Sequence, residues 1–185
     1  MASPRELKVD DEILLVHVHP DYAEELHPLV DNNREFLRTW LPWVDKTKTV
    51  DDTLGFIKDA EKKYAEKGVP TYKIMYKDQA VGVCGLNHVS EDHHFTSIGY
   101  WLIPEFNGLG IMTRICYELT RHAFEDLGLN KVEISANSKN KPSRAIPERL
   151  GFKEEGTIRD RELLSDGHYG DLVTYGLLKT EFKNQ

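Results

Sequence analysis

Hydrophobic and polar residues alternate along this chain with two periods, one of about two residues and one of about 3.6. The shorter period predicts seven strands, at residues 12–19, 72–76, 80–87, 96–102, 131–136, 152–161 and 172–178. The longer period predicts four helices, at residues 21–32, from Asp51 or Asp52 to 67, at 110–127 and at 143–150. Asp51 or Asp52 is expected to cap the second of these helices. Glycine or proline follows most of these segments, as expected at the ends of regular elements.

The connections between these elements indicate an α+β fold. A short turn, Lys77-Asp-Gln79, joins two of the strands and predicts an antiparallel hairpin. The helix at 110–127 is the single crossover between strands. An order that mixes hairpins with one crossover predicts a mixed, largely antiparallel sheet. Because no repeat or linker interrupts the sequence, we expect a single domain over residues 1–185.

Composition narrows the class of protein. The chain has 185 residues, 39% of them hydrophobic, which suffices for a substantial core. Its net charge of −7 argues against general nucleic-acid binding. Cys84 and Cys116 have apolar neighbours, as buried thiols of a reduced compartment do. The polar residues 1–10 contain no secretory segment, and no apolar run approaches the ~20 residues of a membrane helix. We therefore expect a cytoplasmic protein without direct membrane or nucleic-acid contacts.

The segment from Tyr100 to Met112 predicts a strand, a glycine-containing loop and a helix start. Free N–H groups at such a helix start favour an anion, and Gly108 and Gly110 allow the backbone to approach it closely. A P-loop is excluded, because Ile111-Met112 replaces the Lys-Ser/Thr pair that this loop requires. A dinucleotide site is disfavoured, because it needs three glycines early in a βαβ unit, whereas this chain has two, late in the sequence and after a hairpin. An acyl-coenzyme A cradle and a merely structural tight turn remain open.

Three further stretches carry a family resemblance. Asn140-Lys-Pro-Ser143, followed by Leu150-Gly-Phe152, resembles the Asn-x-x-Ser…Leu-Gly-Phe signature of the GNAT acetyltransferase superfamily. Residues 33–43 and 156–172 are similar to the branch that contains the ribosomal-protein serine and alanine N-terminal acetyltransferases. The resemblance spans about residues 10–180. It implies a GNAT-like domain of about seven strands and about four helices, with a central pair of parallel strands that splay apart.

The resemblance implies acetyl-coenzyme A (acetyl-CoA) as co-substrate. It assigns cofactor binding to Leu102, Ile103, Phe106, Asn107, Gly108, Leu109, Gly110, Ile111, Asn140 and Ser143. Backbone N–H groups from residues 106 to 111 would hold the pyrophosphate, since the loop begins with Glu105 where the superfamily often has Gln or Arg. The backbone N–H groups near Leu102 and Ile103 would face the acyl arm.

Two side chains receive catalytic roles from the same resemblance. Glu162 would be the general base, and Ser143 would protonate the departing thiolate. A solvent-facing charge and a helix cap, respectively, are the alternatives that the sequence leaves open. No metal is expected, because the adjacent His93 and His94 would point to opposite faces of a strand and lack a third ligand.

The acceptor is less defined than the donor. Trp40 and Trp43 would line its cleft, with His88 and Tyr169 as further candidates. By resemblance, acetyl passes directly to a primary amine, the N-terminal amine of a ribosomal protein. A small-amine acetyltransferase acting on a polyamine, amino sugar or antibiotic is the alternative enzyme, and a non-catalytic CoA-binding regulatory protein is an alternative of another class. The branch also suggests a homodimer.

Overall fold

Residues 3–182, which the computed structural model describes, form eight β-strands and five α-helices. The strands are β1 Glu6–Lys8, β2 Ile13–His17, β3 Thr71–Tyr76, β4 Gln79–Ser90, β5 Phe95–Leu102, β6 Lys131–Asn137, β7 Lys153–Leu163 and β8 Tyr169–Leu178. The helices are α1 Ala23–Asp31, α2 Arg34–Leu37, α3 Val50–Lys67, α4 Ile111–Glu125 and α5 Lys141–Arg149. None of the helices described has the length and apolar composition to cross a bilayer.

One sheet contains all eight strands, in the order β1-β2-β3-β4-β5-β6-β8-β7. Every neighbouring pair is antiparallel except β5–β6, whose strands are connected by α4. The parallel pairing runs from Phe95 opposite Lys131 to Ile98 opposite Ile134, and the strand ends beyond it diverge. The predicted α+β class, the antiparallel hairpin and the splayed parallel pair are therefore confirmed.

Two short elements raise the counts above the predicted seven strands and four helices. β1 has three residues and α2 has four, so neither is long enough to show a hydrophobic period. Thr49 is the N-cap of α3: its side chain accepts the Asp52 N–H, and the Asp52 carboxylate accepts the Thr49 N–H. The expectation that Asp51 or Asp52 is the cap was wrong, because Asp52 is the third residue of the helix, where its carboxylate completes the capping box.

The apolar face of α4 packs on the sheet and fixes where its N-terminus lies. Ile111, Ile115, Leu119 and Ala123 are at most 1% exposed. They belong to a core cluster that also contains residues of β5 and β6. Gly110 immediately precedes this packed face. The N-terminus of α4, with its free N–H groups, therefore lies beside the gap between the two parallel strands.

Candidate active site

A cavity of about 770 Å³ lies where β5 ends and α4 begins. Ten of the sequence-predicted residues line it: Trp40, Leu102, Phe106, Asn107, Gly108, Leu109, Gly110, Ile111, Asn140 and Ser143. The volume is within the usual range for a small-molecule or cofactor site. The structure thus brings the glycine loop, Trp40 from the segment at residues 33–43 and the start of α5 to one place. Ile103, Trp43, His88, Tyr169 and Glu162 are outside the lining.

The glycine loop provides an anion cradle made of backbone. Gly108 and Gly110 have φ angles of 80° and 73°, the left-handed region that favours glycine, and a Cβ at either would meet open space. Phe106 N–H donates to Ile103 O at 3.2 Å, and Asn107 N–H donates to Pro104 O at 3.1 Å. These two amides are therefore occupied, which corrects the expectation that all N–H groups from 106 to 111 face a ligand.

The amides of residues 108–113, by contrast, have no hydrogen-bond acceptor within the part of the chain described here. The first helical bond of α4 is donated by Arg114 to Gly110 O. No acidic residue lies in the first turn of α4, and Glu105 is exposed to solvent, as expected for a carboxylate beside an anion site. The cradle therefore begins two residues later and extends two residues further than the sequence indicated.

The N–H groups of Leu102 and Ile103, at the end of β5, point in opposite directions. Ile103 N–H donates to Val81 O on β4 at 3.0 Å, so it does not face the gap between the parallel strands. Hydrogen bonds alternate sides along an antiparallel pair, and Leu102 opposite Gly82 is therefore a non-bonded pair. The Leu102 N–H points away from β4, towards the side of β6. Of the two expected contacts to the acyl arm, the geometry supports Leu102 and contradicts Ile103.

Asn140 and Ser143 are placed by the start of α5. Asn140 is the N-cap, and its Oδ1 accepts the Ser143 N–H at 3.2 Å. The helix starts at Lys141, two residues earlier than predicted, because this cap and Pro142 both favour the first turn. The Ser143 hydroxyl is not the cap, so it is available for another contact.

That contact is Tyr100, which sequence reasoning missed. The Tyr100 hydroxyl lies 3.2 Å from Ser143 Oγ and 3.3 Å from Ser143 O, and both residues line the cavity. Burial raises the pKa of Tyr100, which keeps its hydroxyl protonated and able to donate. Tyr100 was visible in the sequence only as a strand residue, because its partner is 43 positions away.

Glu162 lies outside the cavity lining but close to the β6–α5 turn. Its Oε2 accepts a bond of 3.5 Å from Asn137 Nδ2. Glu162 is the one residue of β7 that is partly buried, while the other residues of this strand are exposed. A bulge places three residues of β7 opposite the single Asp171, and Asp160, at φ 50°, donates its N–H to the Asp171 carboxylate at 2.9 Å. Such a bulge redirects the following side chain.

The remaining candidates differ in position. Trp40 lines the cavity, and Trp43 is 39% exposed with its ring 6.1 Å from Trp101, which does line it. His88 packs against Phe95 near the β4–β5 turn, away from the cavity. Tyr169 is 63% exposed at the start of β8. The structure therefore does not bring His88 or Tyr169 into the cavity.

Neither metal chemistry nor a cysteine nucleophile is indicated by these residues. Residues 3–182 contain no group of three His, Cys, Asp or Glu side chains arranged to hold a metal. His93 and His94 lie in the turn between β4 and β5 rather than on a strand. Cys116 is fully buried, and this burial raises the pKa of its thiol, so the reactive thiolate is disfavoured.

Known proteins are similar to this chain over nearly all of its length. A family model described as "Acetyltransferase (GNAT) domain" matches residues 12–153. A Bacillus subtilis (strain 168) protein named "Putative ribosomal N-acetyltransferase YdaF" is 36% identical over 96% of this chain and 97% of its own length. The ribosomal-protein-serine acetyltransferase of Escherichia coli (strain K12) is 25% identical over 91% and 94%, respectively. The crystal structure of the microcin C7 self immunity acetyltransferase MccE in complex with acetyl-CoA and AMP has a TM-score of 0.88 and 29% identity, over 95% of this chain and 97% of that one.

Proposed function

The chain belongs to the GNAT acetyltransferase family, and from that premise we propose that it transfers acetyl from acetyl-CoA directly to the N-terminal amine of a ribosomal protein. The observation that carries this proposal is the cavity that joins the free amides of the glycine loop to the end of β5, beyond the part of this strand that pairs with β6. An anion site and an open strand edge in one cavity suit a ligand that has a pyrophosphate at one end and amides along its arm.

The residues fit acetyl-CoA at both ends of the cavity. The amides of residues 108–113 would hold the pyrophosphate through backbone N–H groups and the positive end of α4. The Leu102 N–H, which points away from β4, and the Asn140 side chain would bind the pantetheine amides. Bound acetyl-CoA supplies the acetyl group as a thioester, which an uncharged amine can attack.

The proton transfers are assigned to two side chains on either side of the β6–α5 turn. The Glu162 carboxylate removes a proton from the acceptor ammonium, which leaves a neutral amine nucleophile. As the new C–N bond forms and the C–S bond breaks, Ser143 Oγ donates its proton to the departing sulfur and takes up the second proton that the amine nitrogen must lose. Tyr100, 3.2 Å from that oxygen, orients the hydroxyl and itself stays protonated. With no reactive thiolate at Cys116, direct transfer without an acyl-enzyme is the simplest route.

The choice of acceptor rests on the relatives. Two curated relatives aligned over more than nine tenths of this chain carry names that refer to ribosomal substrates. A small amine is the second candidate, because a structural neighbour at 29% identity was solved with acetyl-CoA and AMP, a small molecule, rather than with a protein. The homodimer suggested by the family resemblance stays a prediction.

A thiol-release screen tests the proposal. Free thiol is measured with acetyl-CoA and short peptides that begin with Ser or Ala, alongside polyamines, amino sugars and aminoglycosides. The matched control for each peptide has an acetylated N-terminus. We expect release with the free peptides alone. Turnover of small amines without peptide turnover would replace the proposed acceptor. No release with any amine, despite acetyl-CoA binding in a thermal-shift titration, would favour the non-catalytic CoA-binding alternative.

A further inference from the structure

Asn137, the last residue of β6, is a buried polar side chain that the catalytic assignments above do not use. It is 4% exposed, and its amide reaches across to Glu162 on β7, although β8 lies between β6 and β7 in the sheet. A contact between side chains two strands apart needs an opening in the strand between them. The structure shows what provides that opening.

The opening is Gly170 of β8. Glu162 is paired directly opposite Gly170 across β7–β8, while Asn137 is paired with Leu172 across β6–β8. A Cβ added to Gly170 would lie 2.2 Å from Asn137 Nδ2, which no real contact allows. The Asn137 amide therefore occupies the space that any other residue at 170 would fill. The absence of a side chain at this position permits the contact with Glu162.

The orientation of the Asn137 amide follows from its other bond. Asn137 Oδ1 accepts the Lys139 N–H at 3.1 Å, in the turn that leads into α5. An amide has one acceptor end and one donor end, so Nδ2 must face the opposite way, towards Glu162. The distance of 3.5 Å to Glu162 Oε2 is long, as is common for catalytic hydrogen bonds before substrate binds.

The same turn connects the amide to the other catalytic candidate. The Asn137 carbonyl accepts the Asn140 N–H at 2.9 Å, and Asn140 caps the helix turn that holds Ser143. One short segment, residues 137–143, thus contacts the proposed base at one end and carries the proposed acid at the other.

We propose that Asn137 is a positioning residue that orients the Glu162 carboxylate through the space left by Gly170, and so fixes the base relative to Ser143. The inference rests on the proposed role of Glu162. It goes beyond that role by assigning the geometry of the base to an amide on β6 and a glycine on β8. A donor that holds only one carboxylate oxygen leaves the other free to accept the substrate proton.

Substitution of Asn137 by Asp tests this directly. The change preserves the shape and the Oδ1 acceptor, but it replaces the donor that faces Glu162 with an oxygen. We expect a loss of about 10- to 100-fold in kcat, the usual effect of removing a hydrogen bond to a charged group. The dissociation constant of acetyl-CoA, measured by calorimetry, should stay within about twofold. Wild-type kcat in Asn137→Asp would overturn the inference.

Gly170→Ala provides a second variant that leaves Asn137 itself intact. The new Cβ would displace the amide, and kcat should fall as in Asn137→Asp. The matched control is Gly176→Ala on the same strand, where the added Cβ would meet the Glu155 carboxylate at 2.4 Å, an exposed group outside the site. We expect Gly176→Ala to retain kcat. Equal losses in both glycine variants would overturn the inference, because they would indicate general damage to β8.

A double-mutant cycle separates positioning from a structural role. If Asn137 acts through Glu162, Asn137→Asp should lower kcat in the wild type but not in the Glu162→Gln background. An equal loss in both backgrounds would overturn the inference alone. Wild-type kcat in Glu162→Gln would overturn both the base assignment and the role of Asn137.

The same cycle followed by urea midpoints needs no substrate, so it remains informative if no acceptor is turned over. Non-additive shifts of the midpoint support the contact between Asn137 and Glu162, and additive shifts contradict it.

Discussion

Replacement of Gly110 by Ala is the most direct test of the donor site, because it changes the backbone of the cradle without adding a polar group. Gly110 is the N-cap of α4 at φ 73°, and an added Cβ would meet no atom within 4 Å. The substitution therefore causes no steric clash in the free protein. Its cost comes from holding an L-residue in the left-handed region, which is about 1–2 kcal/mol.

The conformational cost of alanine at position 110 can affect either the stability of the free protein or the affinity for acetyl-CoA. Gly110 is exposed in a loop, so an alanine there can relax to a negative φ in the free protein and turn the neighbouring N–H groups away. Binding must then restore the original backbone. The 1–2 kcal/mol appears in the affinity, as an increase of about 5- to 30-fold in the acetyl-CoA dissociation constant. The urea midpoint should change little.

Gly128→Ala is the matched control. Gly128 has φ 69°, also has nothing within 4 Å of an added Cβ, and follows the C-terminal end of the same helix. It is roughly 20 Å or more from the cradle by the rise of α4. We expect Gly128→Ala to leave acetyl-CoA affinity unchanged, as measured by calorimetry. An unchanged dissociation constant in Gly110→Ala would refute the assignment of the pyrophosphate to this loop.

Two further predictions concern buried groups. Tyr100→Phe removes the hydroxyl that lies 3.2 Å from Ser143 Oγ. Thiol-release assays should therefore show kcat lower by about 2- to 12-fold, with unchanged acetyl-CoA affinity. An unchanged kcat would contradict the role of Tyr100. Burial lowers the pKa of His17 from its usual 6.5, so the unfolded state binds the proton more readily and stability is lost as pH falls below about 6.5. The urea midpoint of the wild type should therefore be lower at about pH 5.5 than at neutral pH, and this difference should shrink in His17→Phe. An equal difference in the wild type and in His17→Phe would exclude His17 as its source.

Local patterns predicted the parts of the fold that depend on local sequence. The face of α4 and the β3–β4 hairpin were found because their periods extend over many residues. β1 escaped detection, since it contributes only one buried side chain, Leu7, and pairs with β2 through backbone bonds. The cap of α3 was misassigned for a related reason. Thr49 and Asp52 both cap well, and only the geometry shows which of them precedes the helix.

The candidate site likewise contains residues that local motifs predicted and residues that only the structure shows. Gly108, Gly110 and Ser143 occur in contiguous motifs and were predicted. Tyr100 and Asn137 were not, because the contacts that define them join residues 43 and 25 positions apart. Ile103 was expected to face the ligand, but the direction of an N–H depends on strand register, which hydrophobic pattern does not specify.

The donor half and the acceptor half of the proposed site are formed by different chemical groups. The donor half consists mainly of backbone N–H groups, which many side-chain sequences can present equally well. The proposed acceptor half consists of side chains from the segment between α1 and α3 that carries Trp40 and Trp43. There Arg34 donates to the Val44 and Thr47 carbonyls, and Arg38 forms a two-point ion pair with Asp45 at 2.9 and 3.1 Å.

These bonds link the two ends of the segment that carries Trp40, and this segment forms one wall of the cavity. A backbone-built cradle can persist while such a wall changes. Similarity over nearly the whole chain therefore supports the donor more strongly than the acceptor, and the residues that select the amine should lie in this segment and beside Glu162 rather than in the glycine loop.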